Sequence, residues 1–309
     1  MLAIDQAWAM YNRTTISSHQ EVRDVRDVDS KVLMKKILST DPKKGSLFCF
    51  LFAHPKHFSR VPVVSQTWLP RCDRGEFFVS RTINVTANET DPETYREEGE
   101  IGITADSDLS YTTVFGDIPD DRPHLLAKGL FALHFAYKAY PDFDWYFKAD
   151  SDTYVIVKNL RKYLATLDHT KPYYVGYRMN YVVRKIEHGY NSGGAGYALS
   201  KAAMKIFEEQ LFLNRTLCPP AYNEDVGIGS CFANVGIYPH DTRTEKGQQR
   251  FNAYKFDQIF EQKIHQNYIF DKYNTSLKGP LAVPDDLISV HHLYTNEMLT
   301  YDVLLNVVK

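Results

Sequence analysis

From Leu47 onward, short apolar runs alternate with segments of helical periodicity, and this alternation constrains the fold more than any other feature of the chain. Leu47 to Ala53 reads as a strand, Phe58 to Trp68 as a helix and Phe77 to Ser80 as a second strand. Thr112 to Phe115 reads as a further strand, and Leu125 to Tyr140 carries apolar residues at helical spacing until Pro141 ends it. Trp145-Tyr146-Phe147 is a buried-strand pattern running straight into Asp150. Helical patterns follow at Val157 to Leu167 and Lys201 to Leu213, separated by a strand at Tyr173 to Gly176 and a glycine-rich stretch at Asn191 to Gly196. Asp225 to Val235 reads as a helix opened by acids, which suit the positive end of a helix dipole. The pattern resumes at Leu287 to Val290 and in a last helix over Glu297 to Val308. Strands alternating with helices predict an α/β fold with a central, mostly parallel sheet flanked by helices.

The chain has 309 residues, 44% of them hydrophobic, enough for one large catalytic domain over residues 46–309. Residues 1–45 are polar and weakly periodic and read as an N-terminal stem-like segment. The 36 basic and 38 acidic residues nearly cancel, so no bulk field favours a nucleic-acid partner or an anionic membrane. The longest apolar run, Leu47 to Ala53, is far short of the roughly 18 residues that cross a bilayer, so no transmembrane segment is expected. Met1 to Thr15 lacks the basic and apolar regions of a secretory signal. Four cysteines without a C-x-x-C pair favour two disulfides over zinc, with buried free thiols as the alternative and the pairing left open. Five N-x-S/T triplets, at Asn12, Asn84, Asn88, Asn214 and Asn274, point with them to a secretory-pathway lumen.

An Asp-x-Asp triplet says little by itself, because the chain has four: Asp27/Asp29, Asp106/Asp108, Asp142/Asp144 and Asp150/Asp152. A metal-diphosphate site needs its carboxylates at the carboxyl end of a buried strand, where ligands bind in open α/β sheets. Only Asp150-Ser151-Asp152 meets that requirement. Two carboxylates so spaced suit a hard divalent cation, Mn²⁺ or Mg²⁺, whose shell is completed by phosphate oxygens. In a purely structural reading the same acids would cap the following helix.

The run Trp145 to Val155 resembles the donor-site segment of the core 1 β1,3-galactosyltransferases, within the inverting β1,3-glycosyltransferases that include the Fringe enzymes. Ser192 to Ser200 resembles the family's glycine-rich acceptor-side motif, and Glu224-Asp225-Val226-Gly227-Ile228-Gly229 with Cys231 a third, in the family's order. The resemblance implies a GT-A-like, Rossmann-type nucleotide-sugar fold and inverting transfer of galactose, in β1,3 linkage, to N-acetylgalactosamine O-linked to Ser/Thr of glycoproteins. It implies that Asp150, Ser151, Asp152, Lys128, Thr67 and Trp68 bind the donor, that Asp150, Asp152 and His291 hold the metal, and that Asp225 is the base. His292 is the alternative to His291. Gly193, Gly194, Gly196, Tyr197 and Glu224 fall on the acceptor side. The implied partners are UDP-galactose and an O-GalNAc glycoprotein or glycopeptide, with a homodimer and a dedicated chaperone further implied by the family. Anchored relatives reside in the Golgi membrane.

The chain departs from the family at Ser151, where relatives have Asp, at Ala127, where Trp is expected, and at Phe251-Asn252-Ala253, which replaces Phe-His-Pro. Within the class, a Fringe-like N-acetylglucosaminyltransferase or another sugar or acceptor paralogue keeps the chemistry and changes the sugars. Outside it, an inactive chaperone-like homologue is the alternative, and the retained Asp150 and Asp152 weigh against it. A hydrolase would use Asp150 with Asp225 as its carboxylate pair.

Overall fold

The computed structural model describes residues 45–54, 57, 59–79, 111–115, 118–180, 186, 188–261 and 279–306. The stem-like segment up to residue 44, the triplets at Asp27 and Asp106, and Asn12, Asn84, Asn88 and Asn274 lie outside them.

The strands are β1 (Leu47–Phe52), β2 (Arg74–Val79), β3 (Tyr111–Thr113), β4 (Trp145–Ala149), β5 (Tyr154–Val155), β6 (Tyr174–Gly176), β7 (Arg178–Met179), β8 (Tyr190–Asn191), β9 (Tyr197–Ser200), β10 (Pro239–His240), β11 (Phe251–Asn252) and β12 (Ser289–Val290). The helices are α1 (Arg60–Gln66), α2 (Leu125–Ala139), α3 (Val157–Leu164), α4 (Lys201–Ile206), α5 (Glu224–Ala233), α6 (Phe256–Glu261) and α7 (Thr295–Asn306).

Seven strands form the main sheet in the order β10-β6-β9-β4-β1-β2-β3, and all its pairings are parallel except those of β9. The expected central, mostly parallel sheet flanked by helices is therefore present. Its alternation sorts the core into two layers. Leu47, Cys49 and Leu51 of β1 face one way, with Trp145 and Phe147 of β4, against Val61 and Val64 of α1 and Leu160 of α3. Phe48 and Phe50, with Tyr146, face the other way, against Leu126 and Leu130 of α2, Met204 of α4 and Ile228 of α5. A strand covered on both faces reads as a continuous apolar run, which is why β1 is so plain in the sequence.

Element ends differ from the periodicity where local chemistry intervenes. The first helix stops at Gln66, because the chain turns at Thr67 into a 3₁₀ turn over Leu69–Arg71 that holds Pro70. The helix from Lys201 changes to a π-type turn over Phe207–Leu211 instead of continuing to Leu213. β9 occupies residues that the periodicity leaves unassigned after the glycines.

A second sheet, β11-β12-β5, is small but decisive for the site. β12 runs antiparallel to β5 with Ser289 opposite Val155 and Val290 opposite Tyr154. Continuing that register carries the residues after β12 past those before β5, and the Leu293 N–H donates to the Asp152 carbonyl at 2.9 Å. The chain beyond is anchored by Asp302 of α7, which accepts from both Nη atoms of Arg71, at 2.6 and 3.0 Å, and from the Tyr154 hydroxyl at 2.9 Å.

All four cysteines are paired, Cys49 with Cys72 and Cys218 with Cys231. Among the described residues no helix is long and apolar enough to cross a membrane.

Candidate active site

β2 and β3 lie on one side of β1, and the chain then crosses back to lay β4 on the other. Such a reversal opens a crevice at the carboxyl ends of the two central strands, the usual ligand position in open α/β sheets. Asp150, Ser151 and Asp152 follow β4 directly into that crevice. The Asp142/Asp144 triplet is at the strand's opposite end, where Asp144 accepts from the backbone N–H groups of Gly45 and Ser46 at 2.6 and 3.1 Å.

His291 meets the acids through the second sheet. Its Nε2 lies 3.1 Å from Asp152 Oδ1 and 3.9 Å from Asp150 Oδ2. His292 stacks on His291 with ring centroids 3.7 Å apart, and its Nδ1 lies 3.9 Å from Asp152 Oδ2. Its left-handed backbone, φ 61°, is uncommon for a side-chain-bearing residue and lets both neighbouring imidazoles face one carboxylate. Asp152, His291 and His292 offer one ligand atom each within 4.8 Å of one another. Asp150 stands at the rim, with its side chain 43% exposed and Oδ1 held by Lys148. Burial pushes the Asp152 carboxyl up, but the His291 hydrogen bond and the charges of His291 and Arg60 outweigh it and hold the group below the usual range. The same carboxylate raises the His291 imidazole against the opposing effect of burial. Carboxylate oxygens and imidazole nitrogens converging on one point form a donor set that fits a divalent cation.

A second group of charges adjoins the first. Lys148, on the sheet face covered by α2 and α5, has a side chain only 4% exposed, and its Nζ lies 2.7 Å from Asp150 Oδ1 and 3.5 Å from Glu224 Oε2. The ammonium also sits over the rings of Phe52 and Tyr197, 5.2 and 6.0 Å from their centroids. Burial alone would lower its pKa, but Asp150 and Glu224 raise it above the ordinary lysine range, so it stays charged. Glu224 and Asp225 occupy the first turn of α5. Glu224 accepts from the Tyr197 hydroxyl at 2.7 Å, and Asp225 Oδ2 accepts from the Gly193 N–H at 3.1 Å. Burial raises both carboxyls above their usual values; Lys148 and the Tyr197 hydroxyl oppose this at Glu224, and the Gly193 and Val226 N–H groups oppose it at Asp225.

The glycine-rich stretch between β8 and β9 lets these groups close on one another. A Cβ on Gly194 would lie 1.9 Å from His291 Cε1, and one on Gly193 would lie 2.8 Å from Glu224 Oε2 and 3.3 Å from Lys148 Nζ. Gly196 has φ +82° and packs on the Phe147 ring and the Lys148 carbonyl. The stretch is tied on both sides, since Thr153 donates to the Gly194 carbonyl and Ser289 to that of Ala195, each at 2.6 Å.

Six of the expected residues thus meet in one cluster: Asp150, Asp152, His291, Glu224, Asp225 and Tyr197, with Ser151 buried between the first two. Three others stand apart from it. The Thr67 hydroxyl donates to the Val63 carbonyl and closes the end of α1. Trp68 is buried behind the acids, with its indole N–H donating to the Thr153 carbonyl at 2.9 Å and its ring edge-on to Phe147. Lys128 pairs with Asp120 over the Phe115 ring; burial lowers its pKa and Asp120 opposes the shift.

Two site residues escaped the sequence reading. Lys148 is the lone charge in a five-residue buried strand, which was the signal for it. Arg60 places Nη1 3.5 Å from Asp152 Oδ2, while its buried Nε has no hydrogen-bond partner among the described residues. A cation in the first turn of a helix opposes the dipole, and that mismatch marks Arg60 in the sequence.

The model of the family described as Fringe-like matches residues 53–245, the span from the end of β1 past α5. A Xenopus laevis protein described as glycoprotein-N-acetylgalactosamine 3-beta-galactosyltransferase 1 is 31% identical over 266 residues, covering 84% of this chain and 66% of that protein. A human beta-1,3-glucosyltransferase is 24% identical over 201 residues, covering 63% of this chain and 34% of that one. The chain therefore spans just under two thirds of the length of the first relative and about a third of the second. Among solved structures, a glycosyltransferase involved in the glycosylation of the major capsid of PBCV-1 aligns with a TM-score of 0.42 and 14% identity, over 84% of this chain and 99% of that one. With the family model covering well over half of its length, and with the strand-end acids and the α5 acids both inside the matched region, this chain belongs to the Fringe-like family.

Proposed function

We propose that this chain is an inverting, metal-dependent β1,3-glycosyltransferase that moves galactose from UDP-galactose to N-acetylgalactosamine O-linked to Ser/Thr of glycoproteins, in the Golgi lumen. The observation that carries the reading is the convergence of Asp150, Asp152 and His291 with Lys148, Glu224 and Asp225 at the sheet's reversal point. The names of the two relatives support the β1,3 linkage, and the first of them supports galactose and N-acetylgalactosamine. Two disulfides support an oxidising compartment.

Asp150, Asp152 and His291 would hold the cation, with His292 adjacent, and an imidazole among the donors favours Mn²⁺ over Mg²⁺. When bound, the ion supplies Lewis-acid neutralisation of the departing diphosphate. Lys148 holds one oxygen of Asp150, so that the other is presented toward His291. Arg60, 3.5 Å from Asp152, adds positive charge beside the place the diphosphate would take. Asp225 takes the proton from the acceptor hydroxyl as its oxygen attacks the anomeric carbon opposite the leaving UDP, a single in-line step that inverts configuration. The Gly193 N–H orients the Asp225 carboxylate, and burial raises its proton affinity toward what a general base requires. Glu224, fixed by Tyr197 and Lys148, is its neighbour in the first turn of α5.

The test is a screen of purified protein against UDP-sugars and glycopeptide acceptors, with Mn²⁺ and with chelator, and the product linkage read by NMR. The expected product is β1,3-linked galactose on N-acetylgalactosamine, lost with chelator. Preference for another UDP-sugar would reassign the sugar and keep the reaction. No transfer from any UDP-sugar with metal present would overturn the enzymatic reading in favour of a chaperone-like role.

A further inference from the structure

Asn214-Arg215-Thr216 is the one N-x-S/T triplet within the described residues. It follows the π-type turn that ends α4, with Arg215 and Thr216 exposed and Leu213 beside them 53% exposed. The Asn214 side chain is held in one orientation. Its Oδ1 accepts from the backbone N–H groups of Thr216 and Leu217, each at 3.2 Å, and its Nδ2 donates to the Gln210 carbonyl at 3.1 Å. Donors face the oxygen and an acceptor faces the nitrogen, so the two ends of the amide are chemically distinguished. An aspartate or serine would satisfy the same two N–H groups but offer Gln210 no amide hydrogen. Nδ2 carries two hydrogens, and the second has no acceptor among the described residues.

We propose that Asn214 is an N-glycosylation site, with its Nδ2 carrying an oligosaccharide added in the secretory pathway; this rests on the lumenal part of the function proposed above. One Nδ2–H bond is exchanged for a bond to C1 of the first sugar of a lipid-diphosphate-linked oligosaccharide. The C1–O bond to the diphosphate breaks, the lipid diphosphate leaves with the electron pair, and the amide proton passes to a base of the transferring enzyme. The substituted amide keeps its carbonyl oxygen and one N–H, the same set that the three observed hydrogen bonds use. Modification and loop structure are therefore compatible.

The position also leaves the active site open. Cys218, four residues on, is bonded to Cys231 of α5, and Cys231 is seven positions along the helix from Glu224, about 10 Å along the axis. Asn214 precedes the loop closed by that disulfide, so closing it does not enclose the triplet.

The full chain is expressed behind a cleavable secretion signal in cultured animal cells, and the secreted protein is deglycosylated enzymatically in heavy-oxygen water, which converts an occupied Asn to a heavy Asp. Peptide mass spectrometry then reads Asn214 separately from the other four triplets. The expected result is a heavy Asp at 214 in the wild type and in Thr216→Ser, and its loss in Thr216→Ala with melting temperature and transfer activity unchanged. Thr216→Ala is the informative variant, because Thr216 contributes only its backbone N–H to the cap, whereas replacing Asn214 would disturb the loop itself. An unmodified Asn214 peptide in secreted wild type, or occupancy that survives Thr216→Ala, overturns the proposal. A secreted, inactive protein with Asn214 occupied would refute the transferase reading alone.

Discussion

Gly194→Ala is the sharpest probe of the metal site, because a single methyl meets one defined side chain. A Cβ at this position lies 1.9 Å from His291 Cε1 and 2.4 Å from both ring nitrogens. Carbon pairs settle near 3.5–4.0 Å, so the imidazole must retreat by about 1.6 Å or more. Its contact to Asp152 Oδ1, now 3.1 Å, would then be broken. Gly194 does not have a positive φ, so the backbone accepts alanine and the effect is purely steric. Overpacking of this kind costs about 1–3 kcal/mol of stability. Misplacing a reacting group by about 1 Å costs on the order of 100-fold in rate, or about 2.7 kcal/mol of transition-state stabilisation. We expect the variant to fold, to need at least ~10-fold more Mn²⁺, and to lose roughly 100-fold in kcat/KM at saturating metal. Mn²⁺ titration followed by quenching of tryptophan fluorescence, together with initial rates, measures both. The decisive control is the double mutant. Once His291→Ala has removed the ring, Gly194→Ala has nothing to displace and should add little, giving a coupling energy as large as its own effect. Wild-type metal dependence in Gly194→Ala, or an undiminished effect in the His291→Ala background, would refute the reasoning.

Asp225→Asn keeps the side chain's shape and removes the base, so kcat should fall by about 10²–10⁴-fold with UDP and Mn²⁺ affinity retained; comparable turnover in steady-state rates would sink its role. Because burial raises the Asp225 carboxyl and the ionised form is the active base, kcat/KM should decline as pH falls, with a midpoint above the usual aspartate value of 3.8. A rate profile flat down to that value would count against the assignment. Lys148→Met leaves Asp150 and Glu224 without their shared counter-ion, and urea denaturation should register a loss of about 3–5 kcal/mol. A loss below about 1 kcal/mol would mean that the pair behaves like a solvated surface bridge. Replacing Cys49 and Cys72 with alanine opens a loop closed across 23 residues and should cost about 3 kcal/mol in the same assay, with the metal site unaffected. Unchanged stability there would show that the disulfide does not constrain the unfolded chain.

The sequence by itself determined the layered sheet and the position of its central acids. β1 and β4 are buried on both faces, so β1 appears as an unbroken apolar run and β4 as one interrupted only by Lys148, and whatever follows such a strand falls at the sheet's carboxyl edge. That logic separated Asp150 and Asp152 from Asp142 and Asp144, which bracket the same strand. β9, β5 and β12 were less plain: β9 follows a run of glycines, and two-residue strands are too short to show a period. Their pairing belongs to tertiary structure alone, and so does its main consequence. His291 lies 139 residues from Asp152 in the chain and is brought beside it by the β12–β5 register, while the left-handed turn at His292 sets a second imidazole against the first. Lys148 shows the same division, since its place in a buried strand and its nearest partner Asp150 are written locally, but Glu224 and the Gly193 carbonyl come from α5 and the glycine stretch. Periodicity reports which face of an element is covered. The charge that a buried side chain meets depends on elements far along the chain, because only packing excludes the water that would otherwise satisfy it.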